Sequence, residues 1–472
     1  MPHFQHPCGK TQQYDFDFGR PGKVNFKTAF ESEDGITVQY GLDDGELNGQ
    51  LGALLPPELA DLIDIAVAAY VADRLAIREG MDRSPAWHRS VNLVVPVRRL
   101  DLWRRANIPR ALAEILEFLT EDQWQLQIGR RPSGAARAAE SQGHLFGDQF
   151  GGPVNVSLLS GGLDSFVGTA AAIAREPQVH HVCVSGVANC RQGDRQKRQV
   201  RTLRSLQPLP LTHVRIACWL KRSDEIRQEP TRRTRGFLFL ALGAAAAVAA
   251  RVDRLWLYEN GIGALNLPFA HGELGVTTSR SVHPRTLELM GTLVSLIADR
   301  EFTVRNGSIF QTKAQMCADQ SVAAVLDAIP LTFSCDAFPL RRRGATQCGG
   351  CTSCLLRRMA LWNGSPGRDD AGDYRYDLCA PTSGLDDRHL RGVREMDWQA
   401  ARITAALAEE NAWQGLVSEF PAIARAQQAL ARQLDLPPGA AAEQLVGLYR
   451  RHCEELSRFP AATSARVHRE AA

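Results

Sequence analysis

The sequence predicts an α/β fold over residues 151–365, a parallel sheet flanked by helices, and three observations carry that expectation. Short β-rich runs at 154–159, 179–185, 212–218 and 254–259 alternate with helical segments, as strands covered on both faces do. The first run leads directly into a glycine turn, Ser160-Gly-Gly-Leu-Asp-Ser165, and then into a small-residue helix over 166–174. Four cysteines, Cys335, Cys348, Cys351 and Cys354, fall within twenty residues just downstream.

A chain of 472 residues is long for a single core, so two or three domains are expected. Residues 1–150 read as an N-terminal α+β domain. A β signal lies at 35–40, and a helix at 56–79 places Leu59, Ile63, Ala66 and Tyr70 on one face. A strand at 91–97, a helix at 108–119 and an alternating strand at 124–128 follow. Residues 130–152 turn to Arg, Ser, Gly and Ala without periodicity, which puts the first boundary there. In the sheet region helices are expected to begin at Asp164, near Gln196 and at Arg235. The C-terminal extension, 366–472, reads as helical, with Pro437-Pro438-Gly439 separating two helices.

Charge and hydropathy exclude some classes of partner. The net charge is +3, and only six of the 55 basic residues are lysine, so total charge argues for no polyanion and leaves nucleic acid undecided. The longest apolar run, 237–250, is shorter than the roughly 20 residues a bilayer span needs and reads as a buried helix, so no membrane partner is expected. The N-terminus shows no basic region followed by an apolar one, which leads to the expectation of a cytoplasmic protein with reduced cysteines.

Strand, glycine turn and helix together make an anion cradle. Glycines let the backbone approach a phosphate closely, and the first-turn amides of the helix carry hydrogens with no partner inside it. Ser160 and Ser165 add hydroxyl donors, and Asp164 is placed to hold Mg2+. No GxxxxGK[ST] motif is formed here, which disfavours a γ-phosphate kinase or motor. The cysteines form two overlapping CxxC steps, Cys348-Gly-Gly-Cys351 and Cys351-Thr-Ser-Cys354, preceded by Cys335. Four thiolates suit a closed tetrahedral zinc site with a structural role; redox chemistry and an iron-sulfur cluster are the alternatives that the same ligands allow.

The turn Ser160–Ser165 resembles the SGGxDS signature of the PP-loop ATP pyrophosphatases, whose HUP-like parallel sheet cleaves ATP between the α and β phosphates to form an adenylate. That likeness implies ATP contacts at Ser160, Gly161, Gly162, Leu163, Asp164 and Ser165. It also implies adenine near Val184, Ser185 and Gly186, at the end of the second strand. The cysteine cluster and the Leu355-Leu-Arg357-Arg358 that follows are similar to the zinc motif of the QueC family, which converts 7-carboxy-7-deazaguanine to 7-cyano-7-deazaguanine. Thr312-Lys313-Ala-Gln-Met316 and Thr234-Arg235-Gly-Phe237 resemble two further stretches of that family, making Lys313 and Arg235 the expected catalytic cations beside Asp164 and Ser165. The likeness spans 155–362.

Where that family carries an aspartate-bearing stretch after the fourth strand, this chain reads Tyr258-Glu-Asn-Gly-Ile-Gly-Ala-Leu-Asn-Leu-Pro268. Glu259, Asn260 and Asn266 are therefore the candidates for reading a guanine-like edge. Long QueC-like proteins with this stretch occur in antiphage defence systems, which implies a deazaguanine carboxylate activated as an adenylate. The amine that captures it would be ammonia or an amino group of a protein partner encoded nearby. A tRNA-thiolating PP-loop enzyme and a non-catalytic, ATP-sensing zinc scaffold are the rival readings.

Overall fold

Continuous apolar character at the centre of the chain and alternation near its start meet in a single sheet of ten strands. The structure, a computed structural model, describes residues 12–20, 23–29, 39–51, 55–77, 88–131, 150–220, 228–229, 231, 233–269, 279–337, 346–379 and 387–460. In chain order the strands are β1 (Gln12–Arg20), β2 (Lys23–Ala29), β3 (Gln39–Asp43), β4 (Ser90–Val97) and β5 (Gln123–Arg130). They continue as β6 (Val154–Leu158), β7 (His180–Val187), β8 (Thr212–Leu220), β9 (Arg254–Leu257) and β10 (Thr303–Asn306). Their spatial order is β10-β9-β6-β7-β8-β3-β2-β1-β4-β5. From β10 to β8 every pairing is parallel, as the buried apolar runs predict.

Helices α1 (Gly45–Leu51), α2 (Pro57–Leu75), α3 (Leu100–Trp103) and α4 (Asn107–Thr120) belong to the N-terminal region. The parallel half carries α5 (Leu163–Arg175), α6 (Cys190–Arg204), α7 (Arg235–Ala249), α8 (Gly261–Leu265), α9 (Pro284–Ala298) and α10 (Lys313–Ala318). A 3-10 helix over Gln320–Leu331 leads to α11 (Thr352–Gly364). Among the described residues four helices follow: α12 (Asp387–Leu407), α13 (Ala412–Glu419), α14 (Ala422–Leu434) and α15 (Pro438–Ser457). Pro438 opens α15 at a position where its missing N–H costs no helical bond.

The expected boundary at 130–152 lies mostly outside the described residues, and the sheet continues on both sides of it. β3 pairs antiparallel with β8, Tyr40 opposite Leu220 and Asp43 opposite Ala217, so strands from 1–150 extend the parallel half. Helix α2 is buried along nearly its whole length, and its three buried aspartates are all partnered. Asp61 and Asp64 hold Arg98, and Asp73 holds Arg89, since buried charge is tolerated only when paired.

One core packs Phe166 and Val167 of α5 against Val200 and Leu203 of α6 and Ile329 of the 3-10 helix. A second gathers Ile63 and Val67 of α2, Leu238 and Leu242 of α7, and Leu287 and Leu293 of α9. The apolar run at 237–250 thus forms the buried helix expected of it, and among the described residues no helix is long and apolar enough to cross a membrane.

One expectation is corrected, one lies mostly outside the described residues, and some elements were not anticipated. The helix placed near Gln196 begins at Cys190, because Asn189 caps it by accepting from Gln192 N at 2.9 Å. The β signal at 35–40 falls largely on residues outside those described, and β3 starts at Gln39. β1, β2, β10 and α9 were not anticipated; β10 has four residues, too few for a periodicity to register.

Candidate functional site

Strand order reverses between β6 and β9: the chain runs outward from β6 through β7 to β8, whereas β9 and β10 lie on its other side. Loops leaving the carboxyl ends of β6 and β9 separate at such a point, and open α/β sheets bind ligands in the crevice they leave. The Ser160–Ser165 turn follows β6, and Glu259-Asn260 follows β9. A cavity of about 320 Å3 lies there.

The turn is built to keep its backbone available. Gly161 sits at φ +93°, and a Cβ there would lie 2.6 Å from the Phe333 ring, so only glycine fits. Gly162 caps α5 in extended geometry without a side-chain cap. Phe166 N makes the first helical bond, to Gly162 O, which leaves the amides of Leu163, Asp164 and Ser165 ahead of the helical ladder. Ser160 and Ser165 join their hydroxyls at 3.0 Å, and Ser160 Oγ accepts from Gly162 N at 3.2 Å.

Asp164 is the hub of the charged group. Its Oδ2 accepts from Lys313 Nζ at 2.7 Å and from Asn260 Nδ2 at 3.0 Å; Asn260 also donates to Glu259 Oε1 at 2.9 Å. Burial acts to raise the Asp164 carboxyl, but Lys313 and the hydrogen bonds from Glu259 and Asn260 hold it below the usual carboxylate range. Glu259 is pushed well above that range by burial and by the Asp164 charge beside it. Lys313, although burial opposes its charge, is held above its ordinary value by Asp164 and Glu259.

Asp164 Oδ1 is buried and receives no hydrogen bond from an N–H or hydroxyl donor. One such carboxylate oxygen, completed by phosphate oxygens and water, is a usual Mg2+ set, so the residues fit that ion.

The cavity wall includes Ser160, Gly162, Leu163, Asp164, Ser165, Arg235, Glu259, Asn260 and Lys313, all expected from the sequence. Gly161 stands behind it, packed on Phe333 and Gln196. Val184, Ser185 and Gly186 do not line it. Ser185 donates to Leu159 O at 2.8 Å and meets His213 Nε2 at 3.0 Å, while Gly186 O accepts from Gln192 and Gln196. Ala188, Asn189 and Gln192, just beyond, form that wall instead. Asn266 is also elsewhere: it ends α8 in the left-handed region and donates to Ser279 O at 3.0 Å.

Phe239 and Phe333 line the cavity without having been anticipated. Phe239 lies one turn after Arg235, with the guanidinium 5.8 Å from its ring, a spacing the sequence does contain. Phe333 enters only because the chain folds back there, its N–H bonded to Gly161 O.

The cysteine cluster borders the same cavity through Cys335. All four sulfurs lie within 4.8 Å of one another, and Cys348 and Cys354 are 3.8 Å apart. A tetrahedral zinc with bonds of about 2.3 Å has ligand sulfurs roughly 3.8 Å apart, so the set fits a metal ion such as zinc. Gly349 turns the first CxxC at φ +88°, where a Cβ would strike Tyr376 O at 2.0 Å. Gln347 Oε1 accepts from Cys335 N and Ser334 N, fixing the approach to the first ligand. Arg357 and Arg358 are clamps: Arg357 donates to Ile329 O and Thr332 Oγ1, and Arg358 to Asp369 and Asp377.

A scan against protein-family models returns no match, and a search of curated proteins returns none. Geometry therefore defines the class: an α/β protein with a mostly parallel sheet, a polar pocket at its switch point and a four-cysteine cluster on the pocket's edge.

Proposed function

We propose that the chain is a PP-loop ATP pyrophosphatase that adenylates a carboxylate. The observation that carries this reading is the convergence on one cavity of the Ser160–Ser165 turn, Asp164, Arg235 and Lys313. ATP lies with its phosphates on the first-turn amides of α5, where the helix dipole favours negative charge. Bound at Asp164, Mg2+ supplies charge neutralisation for the departing pyrophosphate. The substrate carboxylate attacks the α-phosphorus, and the α–β phosphoanhydride bond breaks to give the acyl adenylate and pyrophosphate. Lys313, seated on Asp164, and Arg235 present positive charge to the leaving group, so catalysis is mostly positioning and electrostatics. An amine then attacks the acyl carbon and AMP departs with the electron pair of the broken C–O bond.

The substrate we favour is 7-carboxy-7-deazaguanine or a close relative. Glu259 and Asn260 on the cavity wall supply hydrogen-bonding groups for a guanine-like edge, and Phe239 and Phe333 suit a flat heterocycle. The acceptor is ammonia or the amino group of a protein partner, in a cytoplasmic defence setting. Zinc on the four thiolates is structural and braces the wall that bears Phe333 and Cys335. ATP–pyrophosphate exchange measured across 7-carboxy-7-deazaguanine and unrelated carboxylates tests the reading. Exchange stimulated by the deazaguanine alone supports it, and exchange indifferent to the acid removes the substrate while leaving adenylation.

One observation favours the tRNA-thiolating alternative. Helix α6 carries Arg191, Arg195, Lys197, Arg198, Arg201 and Arg204 against a single acid, Asp194, and Asn189 and Gln192 at its start line the cavity. Such a face suits a phosphate backbone. Mass spectrometry of tRNA incubated with ATP and a sulfur donor distinguishes the two.

A further inference from the structure

Lys313 is the first residue of α10, a helix of six residues that cannot be held by its own ladder alone. Its start is a capping box in which Gln315 N donates to Thr312 Oγ1 at 3.1 Å and Thr312 N donates to Gln315 Oε1 at 3.0 Å. Both side chains of that box are gripped from the far end of the chain by α15. Thr312 Oγ1 donates to Glu455 Oε1 at 2.5 Å, and Arg451 Nε donates to Gln315 Oε1 at 3.1 Å.

A hydroxyl has one hydrogen and two lone pairs, so giving that hydrogen to Glu455 turns a lone pair toward the Gln315 amide. Arg451 also donates to Phe310 O at 2.9 Å, and Asn363 Nδ2 ties Glu455 O to α11 at 3.1 Å. Thr312 and Glu455 are buried, where such bonds cannot be exchanged for water. The same helix reaches the other strand end: a Cβ on Gly261, next to Asn260, would lie 2.4 Å from Leu448 Cδ2.

We propose that Glu455 and Arg451 are positioning residues for Lys313, so that the C-terminal helical region is a working part of the phosphate site and sets its affinity for pyrophosphate. This deepens the proposed function and rests on its reading of the cavity as a phosphate site. The chain has six lysines, so 13C-lysine labelling with Lys313→Arg for assignment gives a resolvable Lys313 ε-carbon signal.

Inorganic pyrophosphate is titrated into the wild type, Glu455→Ala, Glu455→Gln and Arg451→Met, each checked by thermal melting. Wild type is expected to shift its Lys313 signal on binding. Glu455→Ala displaces the free-state signal and weakens binding about tenfold, the size of one lost buried hydrogen bond, while Glu455→Gln restores both by keeping an acceptor for Thr312. Should Glu455→Ala fail to fold, Arg451→Met reads the second grip alone and is expected to move the same signal. Variants that melt earlier yet keep the wild-type Lys313 signal and pyrophosphate affinity overturn the proposal. A displaced signal in the variants, with no ATP–pyrophosphate exchange by the wild type under any carboxylate, upholds the positioning and discards adenylation.

Discussion

Lys313 Nζ lies 2.7 Å from Asp164 Oδ2, closing a buried ion pair between residues 149 apart in sequence. Neither partner is dispensable to the fold, because removing one leaves the other charged and buried. Lys313→Met is expected to lower stability by about 3–5 kcal/mol, the usual cost of stranding one member of such a pair. Adding Asp164→Asn in the same chain should recover most of that loss. Urea denaturation of both single variants and the double variant checks this, and strict additivity of the two losses would show that the pair is not coupled.

Gly161→Ala tests the turn itself. A side chain at φ +93° is strained, and its Cβ would meet the Phe333 ring at 2.6 Å, so a loss on the order of 2–3 kcal/mol is expected. Phe333→Ala in the same background relieves the collision and leaves the backbone strain. Partial recovery is therefore predicted; full recovery would mean that the backbone conformation costs nothing.

Much of this site was legible in the sequence, for reasons that differ residue by residue. Ser160 to Ser165 could be read because strand, glycine turn and helix are contiguous, and the cysteines because a thiolate site needs only local spacing. Asp164 read as a loop carboxylate, and its buried grouping with Lys313, Asn260 and Glu259 was invisible because it joins three separate strand ends. Val184, Ser185 and Gly186, near which adenine was expected, lie inside β7, which runs on to Val187, and the cavity is lined instead by Ala188, Asn189 and Gln192 beyond its end. Similarly, the parallel strands announced themselves through apolar runs, whereas the join of β3 to β8 depends on long-range pairing that periodicity does not encode.

Metal binding gives a third prediction. Each chain should carry close to one zinc, and Cys351→Ser should lower both metal content and folded yield, since a structural zinc contributes on the order of 10 kcal/mol to folding. Elemental analysis of the purified protein decides it. Iron with visible absorbance would overturn the zinc assignment.

Acid sensitivity follows from four buried histidines, His181, His213, His283 and His452, all held below their ordinary value by burial. Burial pushes His213 and His283 down to about 3 and His452 down to about 4. As pH falls below about 6.5 the unfolded chain takes up protons that these imidazoles refuse in the folded chain, each refused proton costing about 1.4 kcal/mol per pH unit. Glu455, pushed up to about 7 by burial, and Glu259, raised by burial and Asp164, oppose this because the folded state keeps their protons where the unfolded state loses them. The histidines outnumber the two acids, so stability is expected to fall as the pH drops below about 6.5, and more steeply once the unfolded chain also keeps the glutamate protons, below about 4.5. Denaturation midpoints measured across that range should fall steadily. A midpoint that rises on acidification would contradict the assignment.

The most direct test of the central claim is the identity of the products when purified protein is given labelled ATP, Mg2+ and 7-carboxy-7-deazaguanine. Cleavage between the α and β phosphates predicts AMP and pyrophosphate, both lost in Ser165→Ala. ADP and inorganic phosphate as the products would contradict the account.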